Sequence, residues 1–155
     1  MTLFILTVLI GFVAGLRAMS APAAVALGAY LGWLPVSGTW ASFMGHWLAL
    51  AIFAILALVE FVTDQLPGTP SRKVPQQFGA RIISGGFSGA IIGTVSGSLA
   101  VGLMGGVIGA VLGTLGGYEA RKRLVAAIGG QDLPIALLED AVAVILALWV
   151  VSSVL

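Results

Sequence analysis

The sequence contains no cysteine and few charged residues. Of its 155 residues, 8% are charged, against about 25% in a typical soluble domain. The absence of cysteine excludes disulfides, thiolate metal ligands and thiol catalysis. His46 is the single histidine, so the chain cannot form a metal-binding pair of histidines. The net charge of +1 gives no reason to expect a nucleic-acid partner.

Apolar residues are abundant instead. They make up 59% of the chain, and the mean hydropathy is +1.13. Apolar runs of 18 or more residues recur, which predicts several transmembrane helices. The sequence therefore predicts an all-α, polytopic helical membrane protein with five or six transmembrane helices in one domain, residues 1–155. No basic residue precedes the first run, so we interpret it as an uncleaved membrane segment.

The later spans have clear boundaries. We expect helices over residues 42–66, 82–96, 99–118 and 134–154, with a tight turn at Gly97 and Ser98. Residues 67–79 and 119–133 are polar connections, and residues 124–128 could lie on the membrane surface. Basic residues concentrate in or beside these connections, which the positive-inside rule assigns to the cytoplasm. They are Arg72, Lys73, Arg81, Arg121, Lys122 and Arg123. The outer interface then receives Trp33, Trp40, Trp47 and Trp149.

The first hydrophobic stretch, residues 3–34, allows two interpretations. As one helix it would be about 48 Å long, whereas the hydrocarbon core is about 30 Å thick. Either one helix kinks at Pro22, or two short segments meet near Arg17. The N-terminus is inside in the first case and outside in the second. Short, interrupted segments are typical of transport sites.

Charged residues inside the apolar segments are the candidate site. A lone arginine at membrane depth is costly unless it is paired or hydrated, which singles out Arg17. Glu60 and Asp64 share a helix face because they are four residues apart. Arg81 and, in the last helix, Glu139 and Asp140 are further charged residues of this kind. Together with Arg17, Glu60 and Asp64, they predict a substrate, ion or proton site. The alternative is a cluster of ion pairs with a purely structural role.

Glycines recur every four residues in two adjacent helices, which predicts close helix packing. A hairpin within one subunit is the first interpretation, and a homo-oligomer interface or a pore lining are alternatives. The two sets are Gly85, Gly89, Gly93 and Gly97, and Gly105, Gly109, Gly113 and Gly117.

Two short motifs occur twice and suggest an inverted internal repeat of the kind found in transporters. The segment that contains Arg17 and Ser20 resembles the one that contains Arg81 and Ser84. Residues 57–60 resemble residues 136–139.

Several of these residues also form the pattern of a known family. The chain resembles a widespread family of bacterial polytopic membrane proteins known only as a domain of unknown function. The resemblance implies a multi-pass protein of the bacterial cytoplasmic membrane but no activity. The family pattern usually has a lysine soon after the aspartate, where this chain has Gln65, so a lysine-dependent role is in doubt. The matching residues are Gly15, Leu16, Arg17, Ser20 and Pro22, then Glu60, Asp64, Leu66 and Pro67, then Arg81, Ser84 and Gly85, and finally Glu139 and Asp140.

These observations favour a small transporter or channel for a solute or ion. Four carboxylates face two arginines, so a cation or a proton is favoured over an anion. The alternative is a non-transporting scaffold or accessory subunit that assembles through its glycine faces. The sequence contains no nucleophile motif, metal triad or phosphate loop, so we expect neither enzymatic activity nor a cofactor.

Overall fold

The computed structural model describes residues 2–63, 75–130 and 133–154. Within these ranges all regular secondary structure is helical and there is no strand. A short 3-10 helix, Ser42–Gly45, precedes the third α-helix. The six α-helices are α1 (Thr2–Leu16), α2 (Ser20–Tyr30), α3 (Trp47–Thr63), α4 (Pro75–Val95), α5 (Leu99–Ala127) and α6 (Leu133–Ser152).

Helices α1, α4 and α5 form the most tightly packed part of the molecule. A tight turn joins α4 to α5, in which Gly97 has a φ of 101° and Ser98 caps α5 by accepting from the Val101 amide. These two helices are therefore antiparallel. Helix α1 runs parallel to α5, because Thr7 lies beside Gly105 and Phe12 beside Gly113.

Glycines allow this close approach on two different faces of α5. A Cβ on Gly109 would lie 2.7 Å from the Phe12 nitrogen in α1. A Cβ on Gly89 of α4 would lie 2.9 Å from the Cα of Gly106, which belongs to the other face of α5. Both distances are below any real Cβ contact, so only glycine fits. The predicted glycine set of α5 thus packs against α1 rather than against its hairpin partner α4.

Of the other predicted glycines, Gly97 has a different role from the rest. A Cβ would collide with a neighbouring helix or with the adjoining turn at Gly85, Gly93, Gly105 and Gly113, and Gly117 is buried. Gly97 meets nothing within 4 Å. It provides the positive φ of the turn and does not take part in helix packing.

Helices α2, α3 and α6 surround this core. Helix α2 runs parallel to α6, since Arg17 lies beside Asp140 and Gly28 beside Val151. Helix α3 is antiparallel to α2. One end of the bundle, the turn end, therefore contains Gly97, residues 31–46 and the last turn of α6. The opposite end, the basic end, contains the last turns of α5.

Both ends match features that the sequence indicated. The four tryptophans lie at or near the turn end, where the Trp40 indole donates to the Thr94 hydroxyl at 2.9 Å. Arg121, Lys122 and Arg123 lie at the basic end. They belong to the helix α5, so the connection expected to begin at residue 119 is wrong as far as Ala127. The position of residues 124–128 on the membrane surface stays a prediction. Alanine, arginine, lysine and leucine are good helix formers, and they extend α5 beyond its apolar part.

Two further boundaries differ from the sequence prediction. Helix α4 begins at Pro75, seven residues earlier than expected, and this places Arg81 inside a helix rather than in a connection. Helix α3 begins at Trp47, where the His46 imidazole accepts from the Leu48 amide at 3.1 Å. The 3-10 helix replaces the expected first turn.

Among the described residues, three helices are long and apolar enough to cross a membrane: Gln77–Val95, Leu99–Ala127 and Pro134–Ser152. Two shorter apolar helices, Leu3–Leu16 and Trp47–Val62, accompany them. Large apolar side chains are exposed around the bundle, among them Ile52, Leu58, Ile83, Met104 and Ile145. Soluble monomers rarely expose apolar surface on this scale.

Candidate ion or solute site at the helix break

The first hydrophobic stretch consists of two helices separated by a break. Helix α1 ends at Leu16 and α2 begins at Ser20, and residues 17–19 between them are not helical. Pro22 does not kink a continuous helix. It lies in the first turn of α2, where a missing N–H removes no helical hydrogen bond. The interpretation of two segments meeting near Arg17 therefore describes the structure.

A broken helix leaves backbone amides that need partners. Two of these amides donate hydrogen bonds to the same carboxylate. Glu60, which lies near the end of α3, accepts hydrogen bonds from the Ala18 amide at 2.8 Å and the Met19 amide at 2.9 Å. One oxygen takes each bond, so the carboxylate spans the start of α2. The positive end of the helix dipole favours an anion at this position.

The carbonyls of the break are satisfied from α4. The Arg81 guanidinium donates to the Gly15 carbonyl at 2.8 Å, which a continuous helix would have used for Met19. The Ser84 hydroxyl donates to the Ala18 carbonyl. Arg81 and Ser84 are both buried. One turn of α4 thus replaces the lost helical hydrogen bonds with side-chain donors.

The Arg17 side chain points away from these groups and toward α6. It is fully buried, and its Nε donates to the Asp140 carboxylate. Its Nη1 lies 3.8 Å from a Glu139 oxygen. Two consecutive carboxylates therefore face one guanidinium, which offsets part of the cost of burying its charge.

The site lies closer to the basic end than to the turn end. From Asp140 to the last residue of α6 is about 18 Å, and to its first residue about 10 Å, at 1.5 Å per residue. On the turn-end side the bundle is filled with apolar side chains, and Ile10, Val13, Val25, Ile91 and Val150 are all fully buried. The break is thus closed toward the turn end.

The cluster is more accessible from the basic end. The Glu139 side chain is 8% exposed and the Asp140 side chain 16%, whereas that of Arg17 is 0% exposed. A cleft of about 190 Å³ between α5 and α6 reaches Glu139, with Arg121 among its lining residues. The rest of its lining is almost entirely apolar. The two carboxylates are therefore the most accessible described part of the Arg17 cluster.

The structure brings five of the six predicted site residues together around residues 17–19: Arg17, Glu60, Arg81, Glu139 and Asp140. Asp64 lies outside the described residues. Arg17 faces Asp140 as well as Glu139, while Glu60 and Arg81 bind the backbone of the break.

Sequence reasoning missed two contributors. They are the Ser84 hydroxyl and the backbone amides of Ala18 and Met19. A serine one turn after Arg81 and a glutamate far along the chain give no local signal that they serve a broken backbone. Only the ambiguity of the first stretch pointed to exposed backbone groups there.

The two motifs of the suggested repeat occupy different local structures. The motif of Arg17 contains the break, whereas that of Arg81 lies within a continuous helix. The inverted repeat stays a prediction.

Comparison with protein-family models, curated proteins and solved structures finds no match to this chain. The resemblance to the bacterial family of unknown function therefore also stays a prediction.

Proposed function

We propose that the protein is a small transporter or channel of the bacterial cytoplasmic membrane, and that a cation or a proton passes the cluster at the helix break. The observation that carries this proposal is the break itself. A discontinuous helix at Arg17 is held by carboxylates from two other helices. Discontinuous helices with charged groups at their ends are the usual binding sites of secondary transporters.

The proposed topology has four spans and one re-entrant pair. Helices α3, α4, α5 and α6 cross the membrane, since consecutive ones are antiparallel. Helix α1 enters from the turn end and α2 returns to it, so both ends of this pair lie on one side. At 15 residues, α1 is about 22 Å long, which suits a helix that stops before the opposite surface. The basic residues of α5 support a cytoplasmic position for the basic end, by the positive-inside rule.

The charge of the cluster supports a cation or proton. Among the described residues it contains three carboxylates and two guanidiniums: Glu60, Glu139 and Asp140 against Arg17 and Arg81. Partial exposure of Glu139 and Asp140 gives a route to the cluster from the basic end. The apolar core on the other side closes the route, as alternating access requires of a resting state.

Flux through reconstituted vesicles tests the proposal. The purified protein is placed in liposomes that contain a pH-sensitive dye, and a potassium diffusion potential is imposed with valinomycin. Parallel liposomes contain a sodium-sensitive dye and receive a sodium gradient. We expect proton or sodium flux above that of empty liposomes, and at least about a tenfold loss in Asp140→Asn, equivalent to about 1.4 kcal/mol.

Glu119→Gln is the matched control. Glu119 is an exposed carboxylate on α5, and it lies 4.0 Å from the Arg123 guanidinium. Its replacement should leave flux unchanged. Wild-type liposomes that conduct neither ion better than empty ones would remove the proposal.

A scaffold is the second candidate, and one observation favours it. Each of the five described cluster residues already has a partner within the chain. A scaffold that binds a partner through its glycine faces is not supported, because helices of the same chain already cover these faces. Wild-type flux distinguishes the two candidates.

A further inference from the structure

A second cleft begins beside the helix break, between α2, α3 and α6. It has a volume of about 320 Å³, and its lining is apolar except for Ser20. Ser20 and Phe61 line it near the break, and Leu27 and Leu50 line it toward the turn end. Along α3 this distance is about 16 Å. Small residues of α2, Ala23 and Ala24, form part of its floor.

The cleft ends next to a site that already binds a carboxylate. The Ala18 and Met19 amides hold the Glu60 side chain at the start of α2. Two amides and a helix N-terminus make an anion site, and the Arg81 guanidinium binds the Gly15 carbonyl of the same break. Glu60 is followed directly by Phe61, which lines the cleft.

A buried hydroxyl at the same end of the cleft is unsatisfied. Ser20 is 5% exposed, and within the described part of the chain its hydroxyl has no hydrogen-bond partner. Buried hydroxyls are normally paired. A ligand that carries oxygen atoms at this end and an apolar chain along the cleft would satisfy it.

Helix α3, which carries Glu60, is the least enclosed helix around the cleft. Ile55, Leu58 and Val62 are 59–63% exposed, and α3 packs mainly against α2 and the 3-10 helix. A small outward shift of α3 would withdraw Glu60 from the amides without disturbing the glycine-packed core.

We propose that this cleft binds a carboxylate-headed alkyl chain, the chemistry of a fatty acid. The carboxylate takes the place of Glu60 on the Ala18 and Met19 amides, and the Ser20 hydroxyl donates to it. The alkyl chain lies along α2 toward Leu27 and Leu50. The head then lies at the helix break and the tail extends toward the turn end.

Photolabelling in phosphatidylcholine nanodiscs tests the position of such a chain. The probe is dodecanoate with a diazirine at its tail, and labelled residues are located by peptide mass spectrometry. We expect labels near Leu27, Leu50 and Leu148, and competition by unlabelled dodecanoate. Methyl dodecanoate, which has the same chain without the charge, should compete at least about tenfold more weakly, because charge-assisted hydrogen bonds are the strong ones. Equal competition by the ester would show a general apolar cleft and overturn the proposal.

Two pairs of variants test the mechanism. Glu60→Ala removes the internal competitor, so labelling should increase several-fold, whereas a merely structural glutamate would lower it. Ala54→Trp fills the cleft and should abolish labelling, while Ile55→Trp on the exposed face of the same helix should not change it. Labelling that survives Ala54→Trp, or falls in a folded Glu60→Ala protein, contradicts the proposal. The Ala54 and Ile55 pair decides the matter if Glu60→Ala fails to fold.

Discussion

At the scale of single residues, Arg17 combines full burial with two acidic neighbours. Its burial is tolerable because Asp140 and Glu139 face it from α6. That charged residues of apolar segments gather could be predicted from their cost in the membrane. Their pairing could not, because a carboxylate binds any available N–H and the sequence does not reveal that Ala18 and Met19 expose theirs. Glu60 binds these two backbone amides.

Replacing Arg17 should destabilise the protein strongly. Arg17→Ala leaves two adjacent carboxylates without their shared cation, and we expect a loss of about 3 kcal/mol or more in the free energy of unfolding. Arg123→Ala, at an exposed position with a 4.0 Å ion pair, should cost less than about 0.5 kcal/mol. Unfolding in lipid–detergent bicelles measures both.

A double-mutant cycle identifies the partner. Asp140→Leu combined with Arg17→Met should cost less than the sum of the two single changes, because it removes both charges together. Strict additivity would show that Asp140 and Arg17 do not interact.

At the scale of elements, α5 shows what periodicity predicts and what it leaves open. A glycine every fourth residue predicts a smooth helix face, and six of the eight glycines named from the sequence have no room for a Cβ. The neighbour of each face does not follow from the pattern. The tight turn at Gly97 suggested that α4 packs against the helix face that contains Gly105. Instead, α4 packs against Gly102 and Gly106, and α1 packs against the face of Gly105.

One substitution at two positions of α5 tests these contacts. Gly109→Ala places a Cβ against the α1 backbone and should lower the free energy of unfolding by about 1–3 kcal/mol. Gly116→Ala meets nothing within 4 Å and should leave stability equal or slightly higher, because alanine favours helices. Equal effects at both positions would show that α1 does not pack against Gly109.

The boundary between α1 and α2 illustrates the same limit. Hydropathy continues through residues 17–19, and Pro22 offered a plausible kink. The break is stabilised by side chains from α3, α4 and α6. These helices are distant from the break in sequence, so the local pattern of residues does not reveal it.

At the scale of the whole molecule, the helix directions place the N-terminus and the end of α6 at the same end of the bundle. Residues 31–46, with three of the four tryptophans, lie there too. The basic residues of α5 lie at the opposite end. This separation agrees with the orientation expected from the basic residues, and the six helices are consistent with the all-α fold that composition predicted.

Labelling of single cysteines checks the orientation. The natural chain has no cysteine, so Thr39→Cys and Ala127→Cys need no background changes. A membrane-impermeant maleimide should label position 39 in intact bacteria and position 127 only after the membrane is opened. The reverse pattern would invert the proposed topology.

The contact between Arg17 and Asp140 joins residues 123 positions apart. During synthesis, the first apolar segment leaves the ribosome long before the carboxylates of α6 exist. Glu60 arrives earlier, 42 residues after the amide that it binds at Ala18. The break at residues 17–19 is thus completed by residues that are made well after it, and its contact with Asp140 forms only once α6 has been made.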